Sequence, residues 1–187
     1  MSSDKLERYL EANGWTRAVA GDADFDAAVG AIQLMIDTGR GIVIAGEYGV
    51  GKTALAKIIA KGFRIGFAVR LAVPSDREKL TPWWRELYAE DPFGQGVFLD
   101  DLGAEPLTNE YGVKYELAGD FIVEYHARAT DSTRLVVTTN LTTGELDARY
   151  GGRVLSRLKD LCVPLRLSGK DKRQWAIPQT TTSTKGI

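Results

Sequence analysis

One cysteine, one histidine and two methionines in 187 residues leave little material for several kinds of chemistry. Cys162 has no partner for an internal disulfide and no second thiol with which to build a zinc site, so it reads as a buried structural thiol. His126 stands alone on a helical stretch and is read as structural, outside any site. No apolar run approaches the roughly 20 residues that span a bilayer, and Met1-Ser2-Ser3-Asp4-Lys5 lacks the apolar core of a signal peptide. The expectation is a cytoplasmic protein with no membrane partner. Internal repeats are absent, no stretch reads as a linker, and the length suits one α/β domain with a full core.

A surplus of charge is also missing. The net charge is −1, which argues against a wholly basic nucleic-acid coat, yet the charge is uneven. Between Arg149 and Arg173 stand eight Lys or Arg against two Asp, a local +6 that leaves −7 for the remainder. Such a basic segment suits phosphate or DNA contact, a facing acidic subunit, or a solvated surface.

What is present is Gly46-Glu47-Tyr48-Gly49-Val50-Gly51-Lys52-Thr53, which fills every fixed position of the phosphate-loop pattern G-x-x-x-x-G-K-[ST]. Ile42 to Ala45 before it suit a buried strand, and Ala54 to Ala60 after it are good helix formers, the strand–loop–helix context the motif needs. Glycines let the backbone wrap a triphosphate so that successive N–H groups and the helix N-terminus face the negative charge. Lys52 then reaches the β- and γ-phosphates of ATP, and the Thr53 hydroxyl ligates Mg²⁺. The second landmark is Gly96-Val97-Phe98-Leu99-Asp100-Asp101: a buried strand with two carboxylates at its C-terminal end, where open parallel sheets bind ligands. Asp100 is placed to hold Mg²⁺, chiefly through water, and Asp101 to orient or deprotonate the attacking water.

Along the chain, periodicity predicts a helix over Ser3–Asn13, a loop over Trp15–Asp24 and a helix over Phe25–Thr38, which either walls an adenine pocket or packs on the sheet. The helix after the loop ends near Gly62. A strand over Phe67–Val73 follows, then a helical segment N-capped by Ser75 and running to about Ala89. Within it Trp83 and Trp84, near Arg77, Lys79 and Arg85, either pack or stack a single-stranded base. A helix over Gly112–Ala129 precedes the strand Leu135–Asn140, and Asn140 either caps that strand or bonds the γ-phosphate or attacking water. Arg149, Arg153 and Arg157 recur every four residues in a helical stretch, which puts them along one side. Val163–Leu167 is the last strand. Residues 176–187 read as a disordered tail.

Taken together, Gly46–Thr53, Val97–Glu105, Thr138-Thr139-Asn140-Leu141, Tyr150–Leu158 and Gly169-x-x-x-Arg173 resemble an AAA+ ATPase of the group that holds DnaC-type helicase loaders and IstB-type transposition helpers. The resemblance implies an α/β P-loop NTPase fold: a five-stranded parallel sheet sandwiched between helices over residues 41–175, without a separate lid domain. Residues 1–40 would form N-terminal helices on or near the nucleotide site. It further implies ATP hydrolysis with Mg²⁺, action on single-stranded DNA in replication, a replicative helicase or transposase as partner, and homo-oligomers formed on ATP or DNA. Asn140 would be sensor 1. Arg153, or else Arg157, would be the arginine that completes a neighbouring subunit's site.

Overall fold

The structure, a computed structural model, describes residues 2–80, 96–106, 108–110, 113–129, 134–169 and 171. Trp83, Trp84, Arg85, Arg173 and the 176–187 tail lie outside them. Three helices open the chain: α1 (Ser3–Ala12), α2 (Arg17–Ala20) and α3 (Asp22–Thr38). Then come β1 (Gly41–Gly46), α4 (Lys52–Gly62), β2 (Phe67–Arg70) and the short α5 (Pro74–Arg77). The strand β3 (Val97–Leu102) is followed by a small antiparallel pair, β4 (Thr108–Glu110) and β5 (Val113–Tyr115), and by α6 (Leu117–Arg128). The strand β6 (Leu135–Thr139), the helix α7 (Thr143–Leu161) and β7 (Cys162–Leu167) complete the described fold.

Five strands form one all-parallel sheet in the order β2-β3-β6-β1-β7. Alternation along each strand divides the core in two. Ile42, Ile44, Phe98, Val136, Val163 and Leu165 face a layer built from α1, α3 and α4. Val69, Val97, Leu99, Leu135 and Val137 face the opposite layer of α6 and α7. Both faces of the central strands are therefore dry, which is why β6 reads as an unbroken apolar run rather than an alternating one. Cys162 is buried, and burial pushes its thiol up to about 12, as expected of a structural cysteine. No described helix is long and apolar enough to cross a membrane.

Close backbone approach constrains the sheet at its entry. A Cβ on Gly41 would lie 2.0 Å from the Leu135 carbonyl oxygen, with backbone rather than a flexible side chain as the obstacle. Gly41→Ala is expected to cost about 1–3 kcal/mol by forcing β1 from β6, measurable as a lower midpoint in urea with an unchanged slope.

Four sequence expectations are corrected. The Trp15–Asp24 loop contains α2, whose N-cap Thr16 accepts the Val19 N–H at 3.3 Å, and α3 already starts at Asp22. The strand expected to reach Val73 leaves the sheet after Arg70, and the next helix starts at Pro74, not after a Ser75 cap: proline, lacking an N–H, suits a first helical turn. The helix expected from Gly112 starts only at Leu117, because Val113–Tyr115, β-branched and aromatic, pairs with Thr108–Glu110. Finally, the arginines at 149, 153 and 157 do not share one straight helix. Gly151 adopts φ 78° and ψ 161°, breaking α7 into two segments with Arg149 on one side of the joint and Arg153 and Arg157 on the other.

Candidate phosphate-binding site

The sheet order places β6 between β1 and β3, so the loop after β1 and the acids of β3 converge across the end of β6. At that end the loop glycines 46, 49 and 51 all have positive φ, and α4 begins at Lys52. Lys52 is buried, 5% exposed, with its ammonium turned inward: Nζ donates to the carbonyls of Gly46 at 2.9 Å and Glu47 at 2.6 Å and to Asn140 Oδ1 at 2.6 Å. The lysine and the asparagine at the end of β6, 88 residues apart in sequence, thus meet directly. Tyr48 is exposed and its ring lies 5.9 Å from Lys52 Nζ, while Val50 is buried beneath the loop.

Thr53 and Asp100 are also brought together, the threonine hydroxyl donating to Asp100 Oδ1 at 2.9 Å. Thr138 on β6 donates to the same oxygen at 2.7 Å and accepts the Asp101 N–H at 2.8 Å. Asp100 is 6% exposed and forms no ion pair among the described residues. A buried carboxylate held by hydroxyls, with Arg70 near enough to act on it but not paired with it, fits a cation. Magnesium suits this donor set: a carboxylate and a hydroxyl side by side, with its other positions left to water and phosphate oxygens. Among the described residues, no group of three or more His, Cys, Asp or Glu could hold a metal by itself.

Asp101 owes its position to a bulge. Leu99 pairs with Val137 and Leu102 with Thr139, so β3 spends one residue more than β6 over this span. Without the extra residue Asp101 would fall on the apolar Leu99 face; with it, Leu102 returns to that face and Asp101 takes φ 61°, which Asp tolerates better than most residues.

Of the arginines, Arg149 is a clamp. It donates to the Gly103 and Glu105 carbonyls and to Glu116 Oε2 at 3.3 Å, while Tyr150 donates its hydroxyl to the buried Glu105. Burial, then the neighbouring Glu105, pushes the Tyr150 phenol far above its ordinary value. Together these contacts tie the loop after β3 to the first segment of α7. Arg157 pairs with Asp160 at 3.7 Å, and Asp160 also faces His126 at 3.5 Å. Arg153 is exposed and makes no ion pair or side-chain hydrogen bond among the described residues.

One cleft borders the loop and another borders Asp100. The first, of about 480 Å³, lies beside Glu47 and Asn140 and is walled by Val43, Leu146, Pro164 and Arg166. The other, of about 450 Å³, lies on the opposite face of the sheet, where Lys57, Lys61 and Arg70 approach Asp100.

Sequence reasoning gave no role to Asp24 or Asp171, nor to Thr138 and Glu105, which it quoted only as motif residues. The capping box of α7, Thr142 with Glu145, was also missed, although T-x-x-E is its sequence signature. Asp24 gave no signal beyond an acid in a first helical turn. It accepts the Ser168 N–H at 3.0 Å, the Ser168 hydroxyl at 3.1 Å and the Gly169 N–H at 2.9 Å, pinning the chain just after β7. Set against known proteins, the chain matches no family model and no curated sequence.

Proposed function

We propose that this chain is a P-loop ATPase of AAA+ type that binds ATP with Mg²⁺, hydrolyses it to ADP and phosphate, and acts on single-stranded DNA in replication as helicase loaders do. The observation that carries the reading is the convergence of Lys52, Thr53, Asp100 and Asn140 from three elements at one end of a parallel sheet. Each occupies the place its chemistry requires. When bound, Mg²⁺ would sit at Thr53 and Asp100 and neutralise charge on the transferred phosphoryl. Loop N–H groups and Lys52 hold the β- and γ-phosphates. Asp101, lifted off the apolar face by its bulge, orients or deprotonates the attacking water, and Asn140 steadies the water or the γ-phosphate once Lys52 turns to the nucleotide.

An arginine from a neighbouring copy is the remaining part. Arg153 is the stronger candidate because it is exposed and unpaired among the described residues, whereas Arg157 is engaged with Asp160. Action on DNA rests on the cations: Lys57, Lys61 and Arg70 border the cleft beside Asp100, and Lys159 and Arg166 are exposed on the basic C-terminal segment.

Hydrolysis measured against protein concentration, with and without single-stranded DNA, tests this reading, with Lys52→Ala as the blank. Specific activity is expected to climb with concentration and again with DNA. Arg153→Ala is expected to lower it about a thousandfold or more, the order expected when a phosphoryl-directed arginine is lost, and Arg157→Ala much less. Flat, slow hydrolysis with intact ATP binding would instead identify a nucleotide-switched adaptor or transposition helper that works through a recruited protein.

A further inference from the structure

The loop that would receive phosphate already has an anion resting on it. A Cβ added to Gly49, whose φ is 79°, would lie 1.8 Å from Asp171 Oδ1, 2.1 Å from its Cγ and 2.7 Å from Oδ2. The carboxylate therefore lies against the loop backbone, in the space that any side chain at position 49 would fill. Two contacts fix the chain that delivers it. The Leu167 carbonyl sits so close to Gly46 that a Cβ there would come within 2.4 Å, and the next two residues are held by the buried Asp24. Asp24 thus sets where the backbone leaves β7, and two residues beyond Gly169 the Asp171 side chain reaches the loop. A nest of N–H groups attracts anions, and a carboxylate is one.

We propose that Asp171 is a specificity-determining residue of the phosphate loop: a resident carboxylate that repels bare polyphosphate and so makes the site select nucleotide complexed with Mg²⁺. The proposal rests on the nucleotide reading above. Its physical core is Coulomb's law. Free ATP carries about four negative charges near neutral pH and its magnesium complex about two, so a fixed neighbouring carboxylate penalises the free form about twice as heavily. Mg²⁺ enters on the Thr53 and Asp100 side, so it lowers the ligand's charge without needing Asp171 as a donor.

Binding titrations of the whole chain test this, using ATP with Mg²⁺, ATP with the metal chelated, and inorganic tripolyphosphate as a base-free probe. Asp171→Asn is expected to tighten magnesium–ATP by about tenfold and chelated ATP and tripolyphosphate by about a hundredfold, the ratio following ligand charge. Asp171→Glu keeps the charge and should stay near wild type. The Asn gain should shrink as salt rises, since exposed charges are screened within about 8 Å at physiological ionic strength. Asp171 is exposed, so an unchanged melting temperature will confirm that the variants fold. Weaker binding in Asp171→Asn would overturn the proposal by making the carboxylate a ligand contact. Equal binding by wild type and variant, or a gain independent of Mg²⁺, would overturn it while leaving nucleotide binding intact. Binding of no probe by any variant would remove the nucleotide reading and this proposal with it.

Discussion

Asp100→Asn is expected to lower Mg²⁺-dependent ATP hydrolysis by about a thousandfold and, at the same time, to raise the melting temperature of the ligand-free protein. The two effects share one cause. Asp100 is buried with its charge only partly offset by the nearby Arg70, and its Oδ1 accepts from both Thr53 and Thr138. Asparagine can keep that oxygen where it is, so both hydroxyls stay satisfied while the desolvated charge disappears. A gain of about 1 kcal/mol corresponds to roughly 2–4 °C for a chain of this size. The loss of activity comes from the same charge, which is what would hold the metal. Such opposition between stability and activity is usual where a site is built at the expense of the fold. Melting curves with and without magnesium–ATP separate the effects: the nucleotide complex should stabilise wild type and leave the variant nearly unmoved. Wild-type turnover in Asp100→Asn would exclude Asp100 as the metal acid.

Asp24→Ala is expected to be strongly destabilising although it lies outside the sheet. It removes the acceptor for the Ser168 N–H, the Ser168 hydroxyl and the Gly169 N–H at a site 5% exposed. Donors stranded away from water cost about 1–3 kcal/mol each, and some rehydration of the exposed Ser168 reduces the sum. A loss of about 3 kcal/mol is the net expectation, or roughly 6–12 °C. Asp24→Asn should recover part of it, because the amide oxygen can still accept. Because this clamp also delivers Asp171 to the loop, the Ala variant should tighten binding of tripolyphosphate even as it loses stability. Unchanged melting in Asp24→Ala would show that the segment after β7 is held by something else.

Local motifs made the loop's geometry legible, because its eight positions stand side by side from Gly46 to Thr53 between a strand and a helix. Asp100 was legible too, as an acid at the end of an apolar run. The partners that hold these groups were not. Thr138 reaches Asp100 only because β6 lies between β1 and β3, an order that no local pattern encodes. Asp24 and Ser168 are 144 residues apart, and only the finished fold shows that they touch. The arginine row failed for a different reason. A spacing of four implies a shared face only if the backbone stays helical, and Gly151, which carries no side-chain penalty against positive φ, ends that assumption. The β4–β5 pair was lost to the opposite error, an apolar helix signal extended backwards over three residues better suited to a strand.

The sheet order also bears on how the polypeptide leaves the ribosome. The strand β1 carries the phosphate loop at its end, yet both of its neighbours come from the far end of the chain, Ile42 pairing with Val136 and Val163. During synthesis β1 therefore emerges with two bare edges and no template, and it waits until nearly the whole domain has been made. Long-range parallel pairing of this kind folds slowly and leaves apolar strands exposed to association meanwhile. The helices ahead of it in the chain, made earlier, offer a surface to shelter it: Phe25, Ala28 and Ile32 of α3 share a core with Ile42 and Ile44. The helical layer ahead of the loop is in this sense an intramolecular escort, covering one face of β1 until its partners arrive.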